Sequence, residues 1–219
     1  IPGISAANLQ SPYPSGSVFC ASGATAIVDV MNPTTGAIWM DRNLGAAQVA
    51  TSSTDAASYG DLYQWGRRAD GHQCRASATT TNLSSIDQPA HGNFILAPTS
   101  PKDWRSPQNT NLWQGVNGVN NPCPSGYRIP TLTELEAERL SWSSNNAAGA
   151  FASVLKLPVA GSRHEHGNFI VGAGTTGSYW SSTEAAGSDR SKFQEFISSY
   201  AGMNTNYRAR GIAVRCIKD

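Results

Sequence analysis

Charge is what this chain has least of. Charged residues make up 14% of its 219 positions, against about a quarter in an average globular protein. The net charge is only +1, which excludes strong nonspecific attraction to nucleic acid or anionic membranes, since both need a basic excess. No apolar run approaches the roughly 18 residues that a membrane-spanning helix requires. The opening Ile1-Pro2-Gly3-Ile4 lacks the charged and apolar regions of a signal peptide. It reads as a mature or excised segment, such as the C-terminal module of a longer chain. Signatures of chemistry are missing too. There is no Gly-x-Ser-x-Gly elbow, no His-Glu-x-x-His and no Cys-x-x-Cys, which excludes the hydrolase elbow, the zincin helix, the zinc ribbon and the thioredoxin motif.

Ser, Thr and Asn are abundant, and Gly adds 21 residues. A chain that keeps itself soluble with hydroxyls and amides is more typical of secreted bacterial proteins than of cytosolic enzymes. In that context four cysteines imply two disulfides, with three pairings open.

Residues 1–17, with Pro2, Pro12 and Pro14, read as a tail or edge segment. Ala26–Met31 and Ala37–Met40 read as a hairpin across Asn32-Pro33-Thr34-Thr35-Gly36. Tyr59, Leu62 and Tyr63 share one helical face, so Ser58–Gly66 is expected to be a helix. Thr131-Leu132-Thr133-Glu134 is a capping box that opens a second helix with an apolar stripe of Leu132, Leu135 and Leu140. A third helical piece is expected within Asn146–Leu155. Strands are expected at Leu157–Ala160, Phe169–Val171, Ser178–Ser182, Phe193–Ile197, Met203–Tyr207 and Ile212–Ile217. The segment from Arg67 to Pro122 is long, polar and loop-rich, yet carries Trp104 and Trp113. Tryptophans that bury about 150–250 Å² when packed point to an ordered insertion resting on the core.

Three stretches carry the resemblance to a known family: Trp39-Met40 with Asn43-Leu44, Cys123-Pro124-Ser125-Gly126-Tyr127-Arg128, and Ser178-Tyr179-Trp180-Ser181-Ser182 with Val214-Arg215-Cys216. Together they resemble the Fibrobacter succinogenes major paralogous domain, over roughly residues 26–66 and 123–219. The resemblance implies an α+β, C-type lectin-like fold, also related to the formylglycine-generating-enzyme-like fold. Short antiparallel strands would be combined with two or three helices. The expected organisation is an N-terminal extension over 1–25 and a single domain over 26–219, with the insertion at about 67–122. The resemblance also implies the pair Cys123–Cys216, with Cys20–Cys74 taken as the accompanying pair, and structural roles for Arg208 and Arg215.

Gly172-Ala173-Gly174-Thr175-Thr176-Gly177 matches a dinucleotide pattern but runs into a β-prone stretch instead of a helix, so it reads as a glycine loop before a strand. His164-Glu165-His166, with His72 or His91, has metal-ligand residue types but reads as a surface loop; no metal or other cofactor is expected. The lectin calcium signatures are absent and the acids are scattered, which leaves calcium only a remote cofactor candidate. Glu134, Glu136 and Glu138 read as a solvated helix face instead of catalytic carboxylates.

The recognition candidates gather near the C-terminus. Tyr200, Met203, Asn204, Asn206, Tyr207 and Arg210 have the aromatic, amide and guanidinium character of binding loops. The stretch Ala201–Arg210, the glycine loop before Tyr179 and the turn Glu184–Lys192 are the candidate loops. Trp180 and Tyr207 are candidate stacking anchors, with a core role for Trp180 as the competing reading. Lectin-fold relatives diversified by retroelements place their variable residues in this region. The expected function is a non-enzymatic, secreted or cell-surface adhesion module for a carbohydrate or protein ligand, within a larger surface protein or assembly. The alternatives are an enzyme on a formylglycine-generating-like scaffold and a subunit of a surface or phage-like fibre.

Overall fold

The structure is a computed structural model that describes residues 11–219. The reading of 1–17 as a tail therefore lies outside the described residues for its first ten positions. Residues 11–25 are not a loose tail. Tyr13 is buried, its hydroxyl donates to the Thr25 carbonyl at 2.8 Å, and the Cys20–Cys74 disulfide pins the segment to the insertion.

Among the described residues, thirteen strands and two α-helices make a mixed α+β fold. In chain order these are β1 (Asp29–Met31), β2 (Ile38–Met40), β3 (Tyr63–Gln64), β4 (Thr79–Thr80), β5 (Phe94–Ile95), β6 (Tyr127–Arg128), α1 (Leu132–Leu140) and α2 (Ala147–Ala152). They are followed by β7 (Ser162–Arg163), β8 (Ile170–Val171), β9 (Gly177–Glu184), β10 (Arg190–Ile197), β11 (Tyr200–Tyr207), β12 (Gly211–Ile212) and β13 (Ile217–Lys218). The sheets are ordered β1-β2-β13-β6, β11-β10-β9, β3-β12-β7-β8 and β4-β5. The C-terminal β13 lies between β2 and β6, so the chain's end is tied to its first hairpin. The Cys123–Cys216 bridge, with a Cα–Cα distance of 6.0 Å, locks that junction.

The β9–β10–β11 sheet separates two apolar cores. Trp180 and Phe193 point into one, with Trp65, Trp104 and Trp113. Tyr179 and Phe196 stack on the opposite face with Leu135 and Trp142. This follows from the period of two along a strand. Both insertion tryptophans are buried, at 1% and 0% exposure, so the 67–122 segment is part of the core. A buried indole N–H needs an acceptor. Trp104 donates to the Trp65 carbonyl at 2.7 Å, Trp113 to Asn120, Trp180 to Tyr63 and Trp65 to Ser181.

Arg215 and Asn43 tie the first hairpin, β9 and the C-terminal segment together. Arg215 is 2% exposed and donates to the Asn43 side-chain oxygen at 3.0 Å and to the Met40 and Leu155 carbonyls. Asn43 in turn donates to the Tyr59 carbonyl and the Tyr179 hydroxyl. Burial holds the Arg215 guanidinium down to about 10.

The capping box at Thr131 and Glu134 is present, and α2 starts on an Asn146 cap. Five expectations are corrected. The helix at Ser58–Gly66 is replaced by a 3-10 turn at Ala56–Ser58 followed by β3. Leu62, Tyr63, Gln64 and Trp65 are buried all round, not along one helical stripe. Their backbone is also claimed from outside: Trp180 and Trp104 use the Tyr63 and Trp65 carbonyls, and the Gln64 amide donates to His72 Nε2. Glu138 is not on a solvated face; it is 1% exposed and accepts from Asn32 and from the Trp142 indole. Leu140, placed in the apolar stripe, is exposed. Leu157–Ala160 is buried but irregular, and Ile212–Ile217 divides between β12 and β13.

Candidate functional site

The stretch read as a recognition loop is mostly a strand. Tyr200–Tyr207 forms β11, the outer strand of its sheet, paired with β10 from Ile197↔Tyr200 to Arg190↔Tyr207. Alternation divides the candidate residues between two faces. Tyr200, Asn204 and Asn206 lie on one face; Met203 and Tyr207 lie on the other. Met203 packs against the core containing Tyr179 and Phe196, so it is not available to a ligand.

Tyr200 and Ile197 close the two-residue turn between β10 and β11, and both are exposed, Tyr200 at 46%. The Tyr200 ring lies over Gly202, where even a methyl group would meet its hydroxyl. Asn204 is exposed and Asn206 half-buried. Each uses its side-chain oxygen on the next backbone amide: Thr205 N–H at 2.8 Å and Tyr207 N–H at 2.9 Å. An outer strand carries a row of amides open to another chain, and these two asparagines cap part of that row. Their NH₂ groups keep no partner among the described residues. An aromatic ring and two amide donors thus stand on one rigid strand face.

At the far end of β11, Tyr207 is already engaged. The Arg190 guanidinium lies 4.0 Å and the Lys102 ammonium 4.4 Å from its ring centroid, and Arg190 also donates to its hydroxyl at 2.6 Å. Cations over an aromatic face are favourable contacts, and here they cover the surface that a ligand would stack on. Tyr207 is therefore corrected from an anchor to part of a cationic cluster. Arg210 is similarly committed, to the Ser162 hydroxyl at 3.0 Å and to Glu165 at 3.1 Å. Trp180 is corrected as well: with 0% exposure it belongs wholly to the core. Arg208 lies buried over Trp65, and both Arg208 and Arg215 hold structural positions. The turn after Glu184 and the loop before Gly177 connect strands, as expected.

The structure adds residues that the sequence did not single out. Lys102 comes from the insertion, and its backbone carbonyl accepts from the Ala209 amide. Its ammonium reaches Glu165 at 3.8 Å. No local pattern marks Lys102; only the fold brings it to Tyr207.

His164, Glu165 and His166 offer ligand atoms within 4.8 Å of one another. Neither His72 nor His91 joins them. The His72 ring is consumed at both nitrogens, by the Gln64 amide and by Asp70 at 2.7 Å, and His91 Nδ1 accepts from the Asn93 amide. Glu165 is already held by Arg210 and Lys102, so a cation there would compete with two resident positive charges.

Compared with known proteins, the chain matches no family model, no curated protein and no solved structure. Fold and site define a class: a disulfide-braced α+β protein whose outermost strand displays an aromatic ring and two free amide groups.

Proposed function

We propose that this chain is a non-enzymatic, secreted or cell-surface binding module with a lectin-like fold, which recognises a carbohydrate or protein ligand through the Tyr200–Asn204–Asn206 face of β11. The observation that carries this reading is the contrast between the strand and its support. The sheet behind β11 is buried on both faces, and two disulfides brace the surrounding chain. Yet Tyr200 is left exposed, and the two asparagine amides keep unused donors. Preorganised side chains lose little entropy on binding, and aromatic and amide groups offer stacking area and adaptable hydrogen bonds. Disulfides persist in oxidising compartments, which supports an extracellular setting. No helix among the described residues is long and apolar enough to cross a membrane.

The test is a glycan and protein-ectodomain array probed with the whole chain, with and without chelator. Chelator-insensitive binding to a defined glycan or ectodomain class is expected. Absence of any specific binding on both arrays contradicts the proposal.

A further inference from the structure

A cavity of about 340 Å³ opens beside the Cys20–Cys74 disulfide, away from β11. Its walls are largely apolar, with the methyl groups of Ala56, Ala57 and Ala76 among them, and its two ionisable side chains are Asp61 and Arg75. Asp61 is 6% exposed. Its backbone amide donates to the Leu44 carbonyl, but its carboxyl makes no hydrogen bond and no ion pair among the described residues. Its oxygens are not sealed in the core but open onto the cavity, where a ligand could meet them. The backbone is shaped to receive this carboxyl. A Cβ on Gly45 would fall 2.2 Å from the Asp61 carboxyl carbon, and Gly45 has φ of +80°, so the missing side chain is what gives the carboxyl room.

Arg75 is held in place on the same cavity. Its Nε donates to the Gly60 carbonyl at 2.7 Å and its Nη2 to the Ala160 carbonyl at 2.9 Å, with the guanidinium over the Tyr59 ring. Nη1 has no acceptor among the described residues. Two opposite charges thus line one apolar cavity without pairing with each other. A ligand bearing a single charge would satisfy one and be repelled by the other; a neutral apolar ligand would satisfy neither. Pockets for small molecules have this form, apolar walls with a few converging polar groups, at volumes from about 300 Å³ upward.

We infer that this cavity binds a small zwitterion of the free α-amino acid class, its ammonium on Asp61, its carboxylate on Arg75 Nη1 and a short aliphatic side chain against the alanines. The site is independent of the β11 surface, since none of its lining residues belongs to that sheet. Burial raises the Asp61 carboxyl to about 7, with Arg75 opposing. An ammonium seated there draws the proton off, so binding near neutral pH releases protons.

Isothermal titration of the whole chain with L-valine, isobutylamine and isobutyrate tests this, on the parent and on Asp61→Asn. Asparagine keeps the shape and removes the charge, so the variant should fold at least as well. Saturable binding of valine is expected, with the amine and the acid at least tenfold weaker. Asp61→Asn should bind valine at least tenfold more weakly with no fall in unfolding temperature. Repeating the parent titration near pH 7 in buffers of different ionisation enthalpy should show proton release. The inference is overturned by absence of saturable valine binding to the parent, by equal binding to Asp61→Asn, or by either half-ligand binding as tightly as valine. Binding that survives loss of the β11 face would leave this site standing on its own.

Discussion

The Tyr200 ring rests on the bare Cα of Gly202: an added Cβ would come within 1.9 Å of the Tyr200 hydroxyl and 2.6 Å of its ring carbon Cζ. Both residues lie on the same face of β11, with Gly202 buried beneath the ring, so the glycine sets where the ring sits. Gly202→Ala should lift the ring from its position while leaving the β10–β11 pairing intact. Ligand binding is expected to fall about as far as in Tyr200→Ala, with an unfolding temperature within a few degrees of the parent. Parental affinity in Gly202→Ala would show that the placement of Tyr200 is irrelevant to recognition.

The Cys123–Cys216 bridge closes a segment of 93 residues and joins the C-terminal strand to the core. Replacing both cysteines with serine should lower the unfolding free energy by about 2–5 kcal/mol in urea titrations. A loss near zero would mean that β13 is held by its strand pairing alone.

Arg215 satisfies three acceptors on separate segments, Asn43, Met40 and Leu155. Arg215→Met keeps bulk but leaves those acceptors buried without donors. The expected destabilisation is about 3–5 kcal/mol, read from denaturant midpoints. Asn43→Ala should share most of that loss when combined with it, because contacting residues of one network are not additive.

Two buried groups pull stability in opposite directions with pH. Asp61, raised to about 7 by burial, favours its protonated form in the fold; its contribution is full below about pH 4 and is lost as pH rises through 7. His72, lowered to about 4 by burial with help from Arg67, favours its neutral form; its contribution is present above about pH 6.5 and is lost as pH falls through 4. Asp103, raised to about 6 by burial, acts in the same direction as Asp61, so between about pH 4 and 6.5 the two carboxyls outweigh His72 and the parent's stability should fall as pH rises. Asp61→Asn removes one slope. Its unfolding free energy should fall less than the parent's across that window, because Asp103 and His72 then oppose each other, and above pH 7 exceed the parent's by on the order of 2–4 kcal/mol. Parallel pH profiles for parent and variant would contradict the assignment.

What could be read from the sequence was whatever local chemistry decides. The Thr131–Glu134 capping box needs only four consecutive residues, and the helix begins there. The fate of Trp104 and Trp113 was legible because a large aromatic is costly to leave in water. The misreadings lie where distant segments intervene. Tyr63–Gln64 is a strand because it pairs with β12 and because an indole and an imidazole from elsewhere occupy its remaining backbone groups. β11 is expected from Met203 to Tyr207, but it starts three residues earlier, at Tyr200, because the pairings of Tyr200, Ala201 and Gly202 with β10 impose the extended form there too. Glu138 matched the spacing of a solvated acid until Asn32, more than 100 residues earlier, came to meet it. For the candidate site, Tyr200, Asn204 and Asn206 were in view from composition alone. Their division from Met203 and Tyr207 required the register, and the role of Lys102 required the fold.

The most direct measurement of the binding proposal uses the triple variant Tyr200→Ala, Asn204→Asp, Asn206→Asp, titrated against the ligand class that the parent selects. Aspartate keeps the oxygen that caps the Thr205 and Tyr207 amides while removing the free NH₂ donors, so the strand is preserved as its exposed chemistry is erased. The expected result is an affinity at least tenfold weaker, about 1.4 kcal/mol, with an unfolding temperature close to the parent's. A triple variant that folds and binds as tightly as the parent would place recognition away from β11 and contradict the proposal.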